Sequence, residues 1–229
     1  MNATTSAGAA PPACATVYGV VLNDRATLQR MEAAFHEPPY RAPPKAPVLY
    51  IKPRNTHAAN GATVCVPADP GEVQVNATVG LVLGRTATRV HANDALSYLA
   101  GYLIASDVSL PHASVYRPAM RQRCRDGFLP MGAPVPVDGG FDLGQAQAVT
   151  FINGTEVDRR GFAALVRPAA QLLADVTEFM TLDTGDVLLV GAADVVPLAR
   201  PGDAVRIEIA GLGSLSYRVA LDAQTEAGA

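Results

Sequence analysis

Arginine is concentrated in one segment of this sequence in a way that suggests a binding role. Arg117, Arg121, Arg123 and Arg125 are four arginines within nine residues, in a chain of which only 17% of the residues are charged. A planar guanidinium group binds a carboxylate through two parallel hydrogen bonds, so this arginine segment could form a site for an organic dianion. The alternative is a solvated loop whose arginines make surface ion pairs.

Three further charged residues come directly after apolar stretches. Lys52 and Arg54 follow residues 48–51, and they are either surface residues or part of the same anion site. Asp107 follows a stretch whose leucines have helical spacing, at a point where a carboxylate without a partner would be costly to bury. Asp107 therefore either hydrogen-bonds the next turn or binds a metal ion.

Composition narrows the kind of partner and the compartment. The 229 residues carry a net charge of −3, which argues against nucleic acid, since binding to phosphates needs a basic face. No apolar run approaches the roughly 20 residues of a membrane-spanning helix. Cys14, Cys65 and Cys124 are odd in number and far apart, which fits neither a disulfide framework nor a zinc site. We therefore expect a cytoplasmic protein that binds a small molecule.

The elements that must position these residues are mostly strands, which predicts a β-rich α+β fold. The predicted strands are residues 16–22, 48–51, 63–67, 73–84, 149–152, 155–157, 187–190, 204–209 and 215–220. The second half of 73–84 is apolar on both faces, so this strand is predicted to be central. Asn153-Gly154 predicts a tight hairpin turn.

Three helices are predicted between these strands. The first begins after Asp24 or Thr27 and ends near Phe35, the second runs from a cap at Asn93 to residue 104, and the third covers 161–180 with a break at Pro168. Four prolines in residues 37–45 predict an extended loop. Residues 1–13 are interpreted as a flexible leader and 14–229 as a single domain.

Five short motifs then show a resemblance to a known family. Residues 51–56, 94–102, 106–109, 124–128 and 178–186 resemble, in order and spacing, the fumarylacetoacetate hydrolase superfamily from about residue 18 to 219. Residues 21–23, 39–45 and 116–118 resemble one branch of it, the amino-terminal half of the isomerase/decarboxylases of 4-hydroxyphenylacetate (homoprotocatechuate) degradation.

The resemblance implies a mixed β-roll with flanking helices and a cleft at one end. It also implies decarboxylation of 5-carboxymethyl-2-oxo-hex-3-ene-1,7-dioate and isomerisation of its dienol product, hence a 2-oxo dicarboxylate or tricarboxylate as ligand. Carried over to this chain, it predicts Lys52 and Arg123 as catalytic residues. The predicted substrate-binding residues are Arg54, Tyr116, Arg117 and Arg125.

The resemblance also implies a Mg²⁺ site, which this sequence alters. Asn76 and Thr78 stand at the positions of the family's two metal-binding glutamates, and Asp107 matches the third carboxylate. Because Mg²⁺ affinity depends on the number of carboxylates, we expect weak or absent metal binding. The chain is then either an enzyme subunit that uses fixed cations, or a structural partner of a metal-binding paralogue. A homodimer or a heteromer with that paralogue is implied in either case.

Overall fold

Strands make up most of the regular structure in the computed structural model, which describes residues 12–112, 119–137, 140–193 and 195–223. In chain order they are β1 (Val17–Val21), β2 (Val48–Lys52), β3 (His57–Ala59), β4 (Thr63–Val66), β5 (Val73–Gln74), β6 (Ala77–Leu83), β7 (Leu99–Ser106), β8 (Leu129–Met131), β9 (Val135–Pro136), β10 (Gln147–Ile152), β11 (Thr155–Gly161), β12 (Val187–Leu189), β13 (Leu198–Ala199), β14 (Ala204–Ile209) and β15 (Gly213–Leu221). The helices are α1 (Arg25–Phe35), α2 (Met120–Arg123) and α3 (Ala169–Thr177).

These strands form two main sheets that contain both parallel and antiparallel pairs. The larger sheet has the order β2-β1-β12-β6-β7-β8-β3, with β9 also paired to β7. The smaller sheet has the order β11-β10-β14-β15-β4, and β5 pairs with β13. β1 runs parallel to β12 and β4 parallel to β15, whereas β6 and β7 are antiparallel. The predicted β-rich α+β class is confirmed.

The larger of two clusters of buried apolar side chains among the described residues runs from Val20 to Val219 and lies against both main sheets. β6 is buried along its whole length between β12 and β7, which confirms the predicted central strand. The strand is shorter than predicted, because Val75 and Asn76 separate it from β5. None of the helices in the described ranges is long and apolar enough to cross a membrane.

The first predicted helix and the Asn153-Gly154 hairpin are confirmed. Asp24 caps α1 by accepting a hydrogen bond from the backbone N–H of Thr27. Asn153 and Gly154 both have positive φ angles between β10 and β11. The proline-rich residues 37–45 contain no helix or strand, but they start in tight turns, since the N–H groups of Tyr40 and Arg41 both donate to the carbonyl of Glu37.

The predicted helix at 93–104 is wrong. Only a short 3-10 turn, Ala95–Tyr98, precedes β7, and Asp107 therefore follows a strand rather than a helix. β7 is buried almost throughout and pairs with β6 on one side and with β8 and β9 on the other. A strand buried on both faces has a nearly continuous apolar sequence, which can match helical spacing by chance.

The predicted helix at 161–180 is correct only in its central part. α3 begins directly after Pro168, so the proline starts the helix rather than splitting it, as expected for a residue without a backbone donor. Before it, β11 extends to Gly161, and Phe162 and Leu165 are buried in the core without helical structure. Residues 1–11 of the proposed leader lie outside the described part of the chain, and the single domain at 14–229 stays a prediction.

Candidate active site

Four polar side chains from three separate segments of the chain meet in one cluster. Tyr50 and Lys52 belong to β2, Asp107 follows β7 directly, and Arg123 ends α2. Tyr50 and Lys52 are two residues apart in a strand, so both side chains lie on the same face. We call these four residues the Asp107 cluster.

A glycine in β1 makes room for Tyr50. Gly19 pairs with Tyr50 in the sheet register, and a Cβ atom at Gly19 would lie only 2.1 Å from the Cζ atom of the tyrosine ring. The ring can therefore lie across β1, where its hydroxyl donates a hydrogen bond to Asp107 Oδ2. The guanidinium carbon of Arg123 lies 4.8 Å from the centre of the same ring.

The carboxylate of Asp107 is held between two cations. Lys52 Nζ lies 2.9 Å from Oδ1, and Arg123 Nη1 lies 2.7 Å from Oδ2. The side chain of Lys52 is 0% exposed, that of Asp107 is 2% exposed and that of Arg123 is 13% exposed. With two cations and one anion, the cluster carries one excess positive charge, and Arg123 is its most accessible cation.

Two hydrogen bonds and an ion pair hold Lys52 inside the protein. Besides its ion pair with Asp107 Oδ1, its ammonium group donates to the carbonyl of Val108 at 3.1 Å and to that of Arg123 at 2.8 Å. Three oxygens therefore surround the ammonium group. Lys52 therefore fixes the backbone on both sides of the site. The surface alternative for Lys52 is wrong, since its side chain is fully buried.

The pKa shifts in the Asp107 cluster follow from burial and charge. Burial by itself would raise the pKa of Asp107, but Lys52, Arg123 and the Tyr50 hydroxyl outweigh it and hold that pKa below its usual value. Burial lowers the pKa of Lys52, and Asp107 offsets this only in part. Burial and the charge of Asp107 both raise the pKa of Tyr50. At neutral pH the aspartate is therefore ionised and the tyrosine is a neutral donor.

Asn76 and Thr78, which the motif resemblance aligns with metal-binding glutamates, do not fit a hard divalent cation. Asn76 accepts a hydrogen bond from the N–H of Ala193, and Thr78 donates its hydroxyl to the carbonyl of Gly191. Asp107 supplies the one carboxylate, and both its oxygens already face cations. Mg²⁺ needs several oxygen ligands that are free to coordinate it. Among the described residues there is no group of three or more His, Cys, Asp or Glu side chains placed to hold a metal ion.

Tyr50 and Arg160 were not predicted as site residues from the sequence. Tyr50 could have been found from its spacing, two residues before Lys52 in a strand. Arg160 is 6% exposed and donates from Nη1 to the carbonyls of Ala77 at 3.0 Å and Gly191 at 2.7 Å. The predicted strand ended at residue 157. Continuing the hairpin to Gly161 would have placed Arg160 opposite the buried Ala148.

The remaining predicted site residues do not gather at the Asp107 cluster. Arg54 is exposed, in a 3-10 turn after β2. Arg125 points away from the cluster to Asp222, at 3.8 Å, and Arg121 is exposed on α2. Within the arginine segment, Arg121 therefore lies on the surface, as the alternative of a solvated loop predicted. Arg123 is the arginine that belongs to the Asp107 cluster. Tyr116 and Arg117 lie outside the described residues.

With this geometry established, comparison with known proteins defines the family. Residues 16–220 match the model of the fumarylacetoacetate (FAA) hydrolase C-terminal domain. The chain therefore belongs to the fumarylacetoacetate hydrolase family, and the resemblance seen in its motifs is confirmed. It is 45% identical, over 204 residues, to a 4-hydroxyphenylacetate degradation bifunctional isomerase/decarboxylase of Salmonella dublin. That match covers 89% of this chain but 47% of the relative, so the chain spans about half the length of the curated relatives it matches.

Solved structures share the fold along most of the chain. The 5-carboxymethyl-2-hydroxymuconate delta-isomerase of Mycobacterium smegmatis superimposes with a TM-score of 0.77 and 27% identity, covering 91% of this chain and 80% of that one. The fumarylpyruvate hydrolase of Pseudomonas aeruginosa, solved with Mn²⁺ and pyruvate, superimposes with a TM-score of 0.76 at 21% identity and covers 91% of each chain. The second similarity concerns the fold alone.

Proposed function

We propose that this chain is a subunit of a decarboxylase/isomerase that acts on 5-carboxymethyl-2-oxo-hex-3-ene-1,7-dioate and its dienol product. The observation that carries the proposal is the Asp107 cluster, a buried group with an excess positive charge beside the family's metal positions. The 45% identity to a bifunctional isomerase/decarboxylase over 89% of the chain supports this substrate class.

The chemistry needs a place for negative charge to accumulate. In the decarboxylation, a carbon–carbon bond breaks, CO₂ leaves, and the electron pair spreads through the double bond onto the 2-oxo oxygen as a dienolate. The isomerisation moves a proton between carbon and oxygen sites through the same kind of anion. Fixed cations and hydrogen-bond donors near that oxygen lower the barrier because they need no rearrangement as the charge develops.

The geometry gives Lys52 and Arg123 different roles in this proposal. Arg123 keeps 13% of its side chain exposed and is the cation that meets the oxyanion. Lys52 is a positioning residue, because its fully buried ammonium group pairs with Asp107 and donates to two carbonyls. Arg54, Tyr116, Arg117 and Arg125 remain proposed substrate-binding residues.

A comparison of two arginines on α2 tests the proposal. The purified chain should release CO₂ from the substrate, and Arg123→Ala should lower kcat by about a hundredfold, the usual effect of removing one donor to an oxyanion. Arg123→Lys should recover part of this loss, because it restores the charge without the planar fork. Arg121→Ala is the matched control, an exposed arginine on the same helix, and should be unaffected. Equal activity of all four proteins would refute the proposed role.

A second candidate is a structural subunit without a reaction of its own. Asn76 and Thr78 stand where the resemblance implies two metal-binding glutamates, and this replacement favours the structural candidate. The chain also spans only about half the length of the curated relatives, which favours a separate partner. In this case the chain forms a heteromer with a metal-binding paralogue. The paralogue then holds Mg²⁺. Decarboxylation measured for each protein alone and for the mixture distinguishes the two candidates, because activity of this chain alone excludes the structural one.

A further inference from the structure

The guanidinium group of Arg160 is a buried cation whose hydrogen bonds are incomplete. Nη1 donates to the carbonyls of Ala77 and Gly191, but neither Nε nor Nη2 has a hydrogen-bond partner among the described residues. The ring of Phe162 lies against it, with its centre 5.1 Å from the guanidinium carbon. Burial lowers the pKa of Arg160 to about 10, so the group is still charged at neutral pH.

The two unpartnered groups lie on one edge of the guanidinium plane. The N–H bonds of Nε and Nη2 point in nearly the same direction, and this edge pairs with a carboxylate through two parallel hydrogen bonds. Leaving such donors unpaired in a buried place is costly. The two carbonyls that accept hydrogen bonds from Nη1 fix the plane, so the free edge has a defined orientation without any ligand.

The position of Arg160 connects it with the candidate active site. Ala77, one of its two carbonyl partners, lies between Asn76 and Thr78, and Gly191 accepts hydrogen bonds from both Arg160 and Thr78. The guanidinium group therefore lies beside the strand positions that hold metal-binding glutamates in the family. The backbone N–H of Asp107 donates to the carbonyl of Asn76, the residue before Ala77, which links this position to the Asp107 cluster.

We propose that the Nε–Nη2 edge of Arg160 binds a carboxylate of the ligand in a bidentate manner. Its ligand class is a small 2-oxo acid, and only this choice of ligand rests on the proposed function. A dicarboxylate could then meet Arg160 with one end and Arg123 with the other. The nearby acids Asp24 and Asp158 each support the charge of Arg160, and the structure shows no ion pair between it and either of them within the described residues.

Calorimetric titration of oxalate, pyruvate and 2-oxoglutarate into the whole chain tests this proposal without any turnover. We expect Arg160→Met to weaken binding at least tenfold. Arg160→Lys should weaken it nearly as much, since an ammonium group keeps the charge but lacks the parallel donors. Arg159→Met is the matched control, because the neighbouring Arg159 is half exposed and pairs with Glu156 on the surface. It should bind like the unmodified chain.

Wild-type affinity in Arg160→Met would overturn the proposal, and so would the failure of the unmodified chain to bind any of the three acids. If the methionine variant does not fold, the lysine variant decides in the same way. Binding that depends on Arg160 in a chain without decarboxylase activity would support this site and contradict the proposed function. If both Arg160 variants keep their decarboxylase activity and their affinity for the acids, the proposed function is supported and the Arg160 site is contradicted.

Discussion

At the scale of single residues, Asp107 holds together charges that could not otherwise stay buried. It neutralises one of two cations and lies within hydrogen-bond distance of both, while Tyr50 donates to the same carboxylate. A buried ion pair contributes little net stability compared with apolar packing, but removal of one partner leaves an uncompensated charge. The aspartate therefore maintains the shape of the site whether or not it takes part in a reaction.

Replacement of this carboxylate should be strongly destabilising. Asp107→Asn keeps the size of the side chain but leaves Lys52 and Arg123 without a counter-charge, and we expect a loss of about 3–5 kcal/mol in the free energy of unfolding. Urea denaturation measures this loss. The control is Glu156→Gln, which removes one partner of an exposed pair and should cost less than about 1 kcal/mol. Similar costs for the two variants would contradict the buried-charge description.

The lowered pKa of Asp107 predicts how stability depends on pH. Because the folded-state pKa lies below the unfolded value of about 4, the stabilisation is complete above that value and is lost as the pH falls through the folded-state pKa. The unmodified chain should therefore lose more stability between neutral pH and about pH 3 than Asp107→Asn does. Parallel acid slopes of the free energy of unfolding would show that Asp107 does not titrate in this way.

Residue types alone predicted part of this site. Lys52, Asp107 and Arg123 were identified because each is a charged residue beside an apolar stretch or in an arginine-rich segment, and the family resemblance joined them. Tyr50, which contacts Asp107 and Arg123, and Arg160, which binds the carbonyls of Ala77 and Gly191, are not predicted, for a physical reason. A tyrosine or an arginine in a strand is common and does not by itself indicate a site. Only the tertiary packing shows that Gly19 leaves room for the Tyr50 ring and that Arg160 is buried in the core.

At the scale of elements, the sequence predicted the strands better than the helices. The strands at 48–51, 187–190 and 204–209 follow from alternating or continuous apolar runs next to turn residues, and the structure confirms them. The sequence of β7 predicts a helix because the interior position of this strand removes the alternation that identifies a strand. The parallel pairing of β1 with β12, some 170 residues apart, has no local signal at all.

A glycine in β7 provides a test of this strand assignment. A Cβ atom at Gly101 would lie 2.3 Å from the carbonyl oxygen of Val135, because β9 pairs with β7 there. Gly101→Ala should therefore cost about 1–3 kcal/mol of unfolding free energy, the usual range for overpacking. Gly161→Ala in β11 is the control, since a Cβ atom there meets nothing within 4 Å. A neutral Gly101→Ala variant would show that β9 does not pack against β7.

At the scale of the whole molecule, five motifs with little meaning one by one identified the family because the fold fixes their order. The matched region, residues 16–220, spans both main sheets, and the site is formed where segments far apart in the sequence meet. Asn76 and Thr78, which the motif resemblance aligns with metal-binding glutamates, supply an amide and a hydroxyl, and the charged groups beside them include Lys52, Arg123 and Arg160. We therefore expect ligand anions to bind to the protein's own cations.

The most direct test is an oxalate titration of the whole chain in excess chelator, repeated with Mg²⁺ in place of the chelator. Binding to Arg123 and Arg160 predicts the same affinity in both titrations. It also predicts no saturable binding of Mg²⁺ alone. Oxalate binding that needs Mg²⁺, or sub-millimolar affinity of the chain for the ion itself, would contradict the account.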